Sequence, residues 1–148
     1  MIFKSGIRIT QYYGENPESY SRFGLLGHDG LDVVPNSADD DWMIYAYAEG
    51  KVVQCYFSDT YGNTVITYNK GNNISVRYAH LERIDVKLGD RILVGMALGK
   101  MGNTGNSFGA HLHTHIVPSQ PYGNKLFPDN GYKGRMDPLP LLIASGQI

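Results

Sequence analysis

Along this chain, apolar and polar residues alternate with a period of two or gather in short β-branched and aromatic runs, and glycine and asparagine cut the runs apart. Successive side chains of a strand point to opposite faces, so the pattern predicts half-buried β-strands rather than helices. The predicted strands are Ile7–Tyr12, Leu31–Val34, Met43–Ala46, Gly50–Tyr56, Asn63–Tyr68, Ile74–Ala79, Arg91–Val94, Ala97–Met101 and His111–Val117. Gly-Asn pairs begin at 62, 71, 102, 105 and 123. Both residues tolerate the positive φ of tight turns, so short antiparallel hairpins are expected. Helical signals are confined to Asn16–Tyr20, enough for one turn, and to Asp137–Ile143, where a capping residue followed by proline predicts a short C-terminal helix against a sheet edge. The acidic Asn36–Asp41 and the long Ser119–Gly134 read as loops, the second long enough to suggest a functional role.

The 148 residues fit one domain, 1–148, mainly β. A chain of this size buries roughly two thirds of its unfolded surface, so it needs no disulfide or structural metal merely to fold. The single cysteine, Cys55, excludes an internal disulfide and every Cys-rich zinc pattern, and reads as a small buried apolar side chain. A formal charge of −1 offers no field to attract nucleic acid or an anionic membrane. No apolar run approaches the ~20 residues of a membrane span, and charge and glycine break the segment Met1–Arg8 too early for an export signal. Gly95–Met101 has the glycines of a phosphate loop, but their spacing is one residue short and Met101 stands where a magnesium-binding hydroxyl is needed. The same segment is similar to biotinyl and lipoyl carrier hairpins, which have no use for clustered histidines.

All five histidines fall in three short clusters: Gly27-His28-Asp29-Gly30-Leu31-Asp32, Tyr78-Ala79-His80-Leu81 and His111-Leu112-His113-Thr114-His115. Imidazoles and a carboxylate are zinc ligands, and a catalytic zinc keeps one position open for water. On a strand, His111, His113 and His115 share one face, but the outer two stand roughly 13 Å apart, too far to share an ion bonded at about 2 Å. Not all three can be ligands. His28 and Asp32 can chelate only if the chain bends between them, at Asp29-Gly30. Taken singly, each histidine has an ordinary alternative: a surface residue, a pH-sensitive patch, a turn cap. Their joint presence favours a metal site.

In order and spacing, the cluster at 27–32, Tyr-Ala-His-Leu at 78–81 and Gly102-Asn103-Thr104-Gly105-Asn106-Ser107-Phe108-Gly109-Ala110-His111-Leu112-His113 resemble the LytM/lysostaphin-type zinc metallopeptidases that cut peptidoglycan. The resemblance spans about 25–118 and includes the glycine-punctuated Val86–Gly102, which leaves 1–24 as a lead-in and 119–148 as a C-terminal loop and helix. It implies an antiparallel β-sandwich or open barrel, Zn²⁺ held by His28, Asp32 and His113, and His80 and His111 acting beside it, His80 as general base. The implied substrate is the peptide of peptidoglycan, outside the cytoplasmic membrane, with no nucleic acid and no membrane insertion. An origin in a phage virion or among phage lysis components is one hypothesis, carried by the Gln11–Asn16 lead-in. The alternative is a catalytically inactive module that binds cell wall or activates an amidase. One departure stands out. The family motif continues from the second histidine with Phe-Glu, where this chain has Thr114 and His115, for either of which a contact behind the ligands is expected.

Overall fold

The computed structural model describes residues 1–148. Nine strands form one antiparallel sheet: β1 (Ile7–Gln11), β2 (Leu31–Pro35), β3 (Met43–Tyr45), β4 (Gly50–Ser58), β5 (Gly62–Asn69), β6 (Ile74–Ile84), β7 (Arg91–Ile92), β8 (Ala97–Met101) and β9 (Leu112–Pro118). The order is β1-β2-β9-β6-β5-β4-β7, and β8 pairs with both β3 and β6. The domain is mainly antiparallel β, as the alternation requires. Helix is limited to α1 (Pro17–Tyr20), a 3-10 turn at Ser21–Phe23, and α2 (Leu139–Ala144). No helix is long and apolar enough to cross a membrane.

Most strands shift from the sequence pattern by one or two residues at an end, and three of the differences are instructive. β6 runs on through His80 to Ile84 because its far half pairs with β8, a partner that local periodicity does not reveal. β7 stops at Ile92, where the chain turns and Gly95 donates its N–H to the Ala46 carbonyl. His111 lies just outside β9, joined to Gly102 by an isolated bridge. The C-terminal helix starts at Leu139, whose N–H is capped by the Asp137 carboxylate at 2.9 Å, and it buries Leu142 in the core. Cys55 is only half-buried, packed at the core's margin.

The core gathers Leu31 and Val33 of β2, Val65 of β5, Val76, Tyr78 and Leu81 of β6, Leu98 of β8 and Leu112 of β9, with Ile2, Phe3 and Leu142 from the termini. Each such side chain, fully buried, contributes roughly 1.5–3 kcal/mol. Thr114, between the two site-facing histidines of β9, necessarily points to this opposite face. It is fully buried, donates its hydroxyl to the Arg77 carbonyl at 2.7 Å and is paired with the Tyr47 hydroxyl at 2.7 Å. The expectation that Thr114 stands behind the ligands therefore gives way to a core role set by strand alternation.

Candidate functional site

β2 and β9 are adjacent antiparallel strands, and their register sets Asp32 directly opposite His113. Alternation keeps Leu31 and Val33 in the core while Asp32 faces the other way, over the open face of the sheet. His28 comes from the turn before β2, and the lead-in grips its backbone. Gly14 N–H donates to the His28 carbonyl at 2.8 Å, and His28 N–H donates to the Glu15 carbonyl at 2.9 Å. The lead-in at 1–24 is thus part of how the site is built. Gly30 has no left-handed φ. It is needed for room, because a Cβ there would come within 2.5 Å of the Thr114 carbonyl oxygen and 2.6 Å of the His113 ring.

Three donor atoms meet in a nearly equilateral triangle. His28 Nε2 is 3.1 Å from His113 Nδ1 and 3.1 Å from Asp32 Oδ1, and His113 Nδ1 is 3.0 Å from the same oxygen. Around a tetrahedral zinc with bonds of about 2.0–2.1 Å, donors stand roughly 3.3 Å apart. Protons reinforce the fit. The Nδ1–H of His28 is directed to the Tyr12 carbonyl at 3.2 Å, which leaves Nε2 with its lone pair inward. His113 Nε2 has acceptors on its far side, so its Nδ1 lone pair also points inward, beside a carboxylate. Burial works against charge at Asp32, yet His113 and His28 hold its carboxyl well below the usual range. Burial likewise opposes a proton on His28, and Asp32 outweighs it. The residues present suit a divalent cation that takes nitrogen and oxygen ligands. A looser set, His28, Asp29 and His113, has donor atoms within 4.8 Å of one another. It suits an ion less, because Asp29 Oδ2 already accepts from the Tyr61 hydroxyl at 2.6 Å and from Arg135 Nη1 at 3.0 Å.

The other two histidines reach the same place from less regular backbone. Ala79 and His80 together oppose Thr64 across β5 and β6, a bulge, and His80 has φ 64°, left-handed for a residue with a Cβ. That conformation re-aims the ring, and its Nδ1–H donates to the Thr104 carbonyl at 2.7 Å. Burial is the main force that depresses His80 to about 4, so its imidazole is neutral at ordinary pH with Nε2 free to accept. His111 directs its Nδ1–H to the Gly109 carbonyl at 2.7 Å, and its Nε2 stands 3.5 Å from Asp32 Oδ2. The two rings lie 4.8 Å apart, centre to centre. The structure thus brings His28, Asp32, His80, His111 and His113 to one centre.

This centre lies in an open cleft of about 760 Å³. Its walls include Tyr20 and Phe23 of the lead-in, Tyr61, the fully exposed Phe108, and Lys133 and Arg135. Of the long Ser119–Gly134 loop, only Lys133 reaches the cleft itself. Sequence reasoning missed Asp29, Tyr61 and Arg135 as parts of the centre. Asp29 was visible as a neighbour of His28, but nothing local announced that Tyr61, 32 residues on, and Arg135, 106 residues on, converge on its carboxylate. Burial tends to raise the Asp29 carboxyl, but His113, Tyr61 and Arg135 prevail and hold it below the usual range. Burial also drives His115 far down, so it is neutral.

A model of peptidase family M23 matches residues 26–126. The peptidoglycan DD-endopeptidase ShyA of Vibrio cholerae is 34% identical over 90 residues, 57% of this chain and 21% of its own length. The glycyl-glycine endopeptidase ALE-1 of Staphylococcus capitis is 28% identical over 137 residues, 90% of this chain and 34% of its own. The catalytic domain of lysostaphin from Staphylococcus simulans superimposes with a TM-score of 0.70 at 26% identity, covering 92% of both chains. The chain thus spans about a fifth to a third of these curated relatives' length.

Proposed function

The chain belongs to peptidase family M23, a family of peptidoglycan endopeptidases, and from that membership we propose that it is a zinc-dependent endopeptidase hydrolysing peptide crosslinks of bacterial peptidoglycan. In this reading His28 Nε2, Asp32 Oδ1 and His113 Nδ1 hold the ion, and His80 and His111 act on the reacting groups. One observation carries it: three donors, two of them imidazole nitrogens whose lone pairs are turned inward by contacts at the opposite ring nitrogen, stand 3.0–3.1 Å apart in an open cleft.

Zinc, when bound, polarises the scissile carbonyl and lowers the pKa of water toward neutrality. His80, neutral and with its Nδ1–H tied to Thr104, accepts at Nε2 the proton of the attacking water. Because it holds a proton weakly, it passes it on readily to the leaving amine. His111, fixed through its Nδ1–H to Gly109 and with Nε2 beside Asp32 Oδ2, stands where its doubly protonated form, the imidazolium, donates from Nε2 to the oxygen on which negative charge develops. Tyr20, Phe23 and Phe108 line the cleft and give the peptide apolar surface to lie on.

Purified walls crosslinked directly and walls crosslinked through glycine test the reading when incubated with native protein, chelated protein and His113→Ala. New amino groups are expected from the native protein alone, and fragment masses identify the bond. Walls left intact by zinc-loaded protein would overturn the hydrolase. A non-catalytic wall-binding module would instead keep its affinity after chelation and release no amines from any wall.

A further inference from the structure

His113 has two ring nitrogens and two sets of neighbours. Nδ1 faces the triangle. Nε2 faces away from it, toward His115 Nδ1 at 3.1 Å and Asp29 Oδ1 at 3.5 Å, while His115 Nδ1 lies 3.9 Å from Asp29 Oδ2. The three side chains are among the most enclosed polar groups in the protein: His113 is 4% exposed, His115 2% and Asp29 6%. Asp29 is itself pinned from outside by the Tyr61 hydroxyl and Arg135. The reaction as derived above uses neither Asp29 nor His115.

We propose that Asp29 and His115 form a positioning pair for His113, accepting its Nε2 proton between them so that Nδ1 stays bare and strongly basic toward the metal. The proposal rests on the reading of His28, Asp32 and His113 as ligands. A neutral imidazole carries one proton, and a ligand imidazole must carry it on the nitrogen that does not bind. Were it on Nδ1, it would point into the triangle and close it. A proton on Nε2 in so enclosed a place needs an acceptor, since leaving it unpaired costs about 1–3 kcal/mol. His115 Nδ1 supplies the nearer lone pair, and Asp29 supplies the negative charge that raises basicity through the ring. Position 115 carries histidine here, where the family motif has glutamate. The carboxylate that faces His113 Nε2 comes here from the residue after the first ligand, in the turn that leads into β2. A cation held between Asp29, His115 and His113 Nε2 is disfavoured by the Arg135 guanidinium 3.0 Å from the same carboxylate.

Zinc affinity and stoichiometry, measured on the full chain by competition with a chromophoric chelator, test this without recourse to activity. Asp29→Asn keeps the side chain's shape and removes its charge, and is expected to weaken zinc binding by roughly 10–100-fold at one ion per chain. Adding His115→Glu to Asp29→Asn returns a carboxylate to the same side of His113 and is expected to restore affinity to within a few-fold of the native protein. Nitrogen NMR of the native zinc-loaded protein needs no variant, and should show His113 protonated at Nε2 and bare at Nδ1. Native affinity in Asp29→Asn, no recovery in the double variant, or a proton on His113 Nδ1 would each overturn the pair. Two zinc ions per native chain would replace it with a second metal site. If the native protein binds no zinc at all, the ligand reading fails and the pair fails with it, whereas tight native binding unaltered in Asp29→Asn sinks the pair alone.

Discussion

The centre is built from two kinds of backbone. Asp32 and His113 are paired residues on neighbouring strands, held in place by a hydrogen-bonded ladder whose other face is the core. His80 sits on a bulge in a left-handed conformation, and His111 on an isolated bridge beyond the end of β9, and both rings are tied to carbonyls of the loop that joins β8 to β9. Two corners of the triangle are thus carried by regular sheet, and the third, His28, is held from the turn before β2 by the lead-in backbone. The two groups proposed to meet a substrate and move a proton are carried by irregular chain, whose strain the surrounding hydrogen bonds sustain. The division suggests that holding the ion and turning over the substrate can be damaged separately.

The largest expected effect lies on the sheet side. His113→Ala removes one corner of the triangle, and should lose stoichiometric zinc together with more than roughly 1,000-fold of cleavage. Zinc content measured beside wall-fragment release checks both at once, and a variant that keeps its zinc would break the assignment of this strand to the metal. On the loop side, His80→Gln and His111→Gln should each cost about 10²–10⁴-fold in kcat while zinc content stays at the native level. Loss of zinc in either would erase the division between the two regions.

Between these in structure, though smaller in effect, is Gly30. A methyl group there meets the Thr114 carbonyl and the His113 ring at 2.5–2.6 Å, so strand β9 must shift away from the β2 turn. Gly30→Ala is expected to cost about 3 kcal/mol of stability and to weaken zinc binding along with it. Chemical denaturation of metal-free protein separates the two, because a change in zinc affinity at unaltered stability would mean that the contact acts only on the ligand.

How much of this was legible in the sequence follows the same line. The strands rest on local pattern, and alternation puts Asp32 and His113 on the face away from Leu31, Val33 and Leu112, but the choice of His28, Asp32 and His113 as a set rests on the family resemblance of their motifs. Spacing alone could say that His111, His113 and His115 are not all ligands, and the structure sets His111 and His115 on opposite sides of His113. What local pattern could not carry depends on long-range pairing. The extension of β6 past His80 needs β8. The grip on His28 needs the backbone of Gly14 and Glu15. The enclosure of Asp29 needs Arg135 from near the other end of the chain. Thr114 was misplaced for a simpler reason, since its position in an alternating strand already sent it to the core.

The smallest expected effect is a pH dependence that distinguishes the two regions in the metal-free protein. Unfolded, His80 takes up a proton near its ordinary 6.5, whereas folded it does so only at about 4, chiefly because burial disfavours the imidazolium. Between those values the unfolded chain binds more protons than the folded one, so stability rises with pH across the window. The contribution is fully present above about pH 6.5 and is lost as pH falls toward 4. Denaturation midpoints at a series of pH values, for the native chain and for His80→Gln, should diverge in slope within that window and run parallel above it. Identical slopes would mean that the bulge opens to water when the metal is away, and that the loop-borne half of the centre takes its shape only when the strand-borne half is loaded.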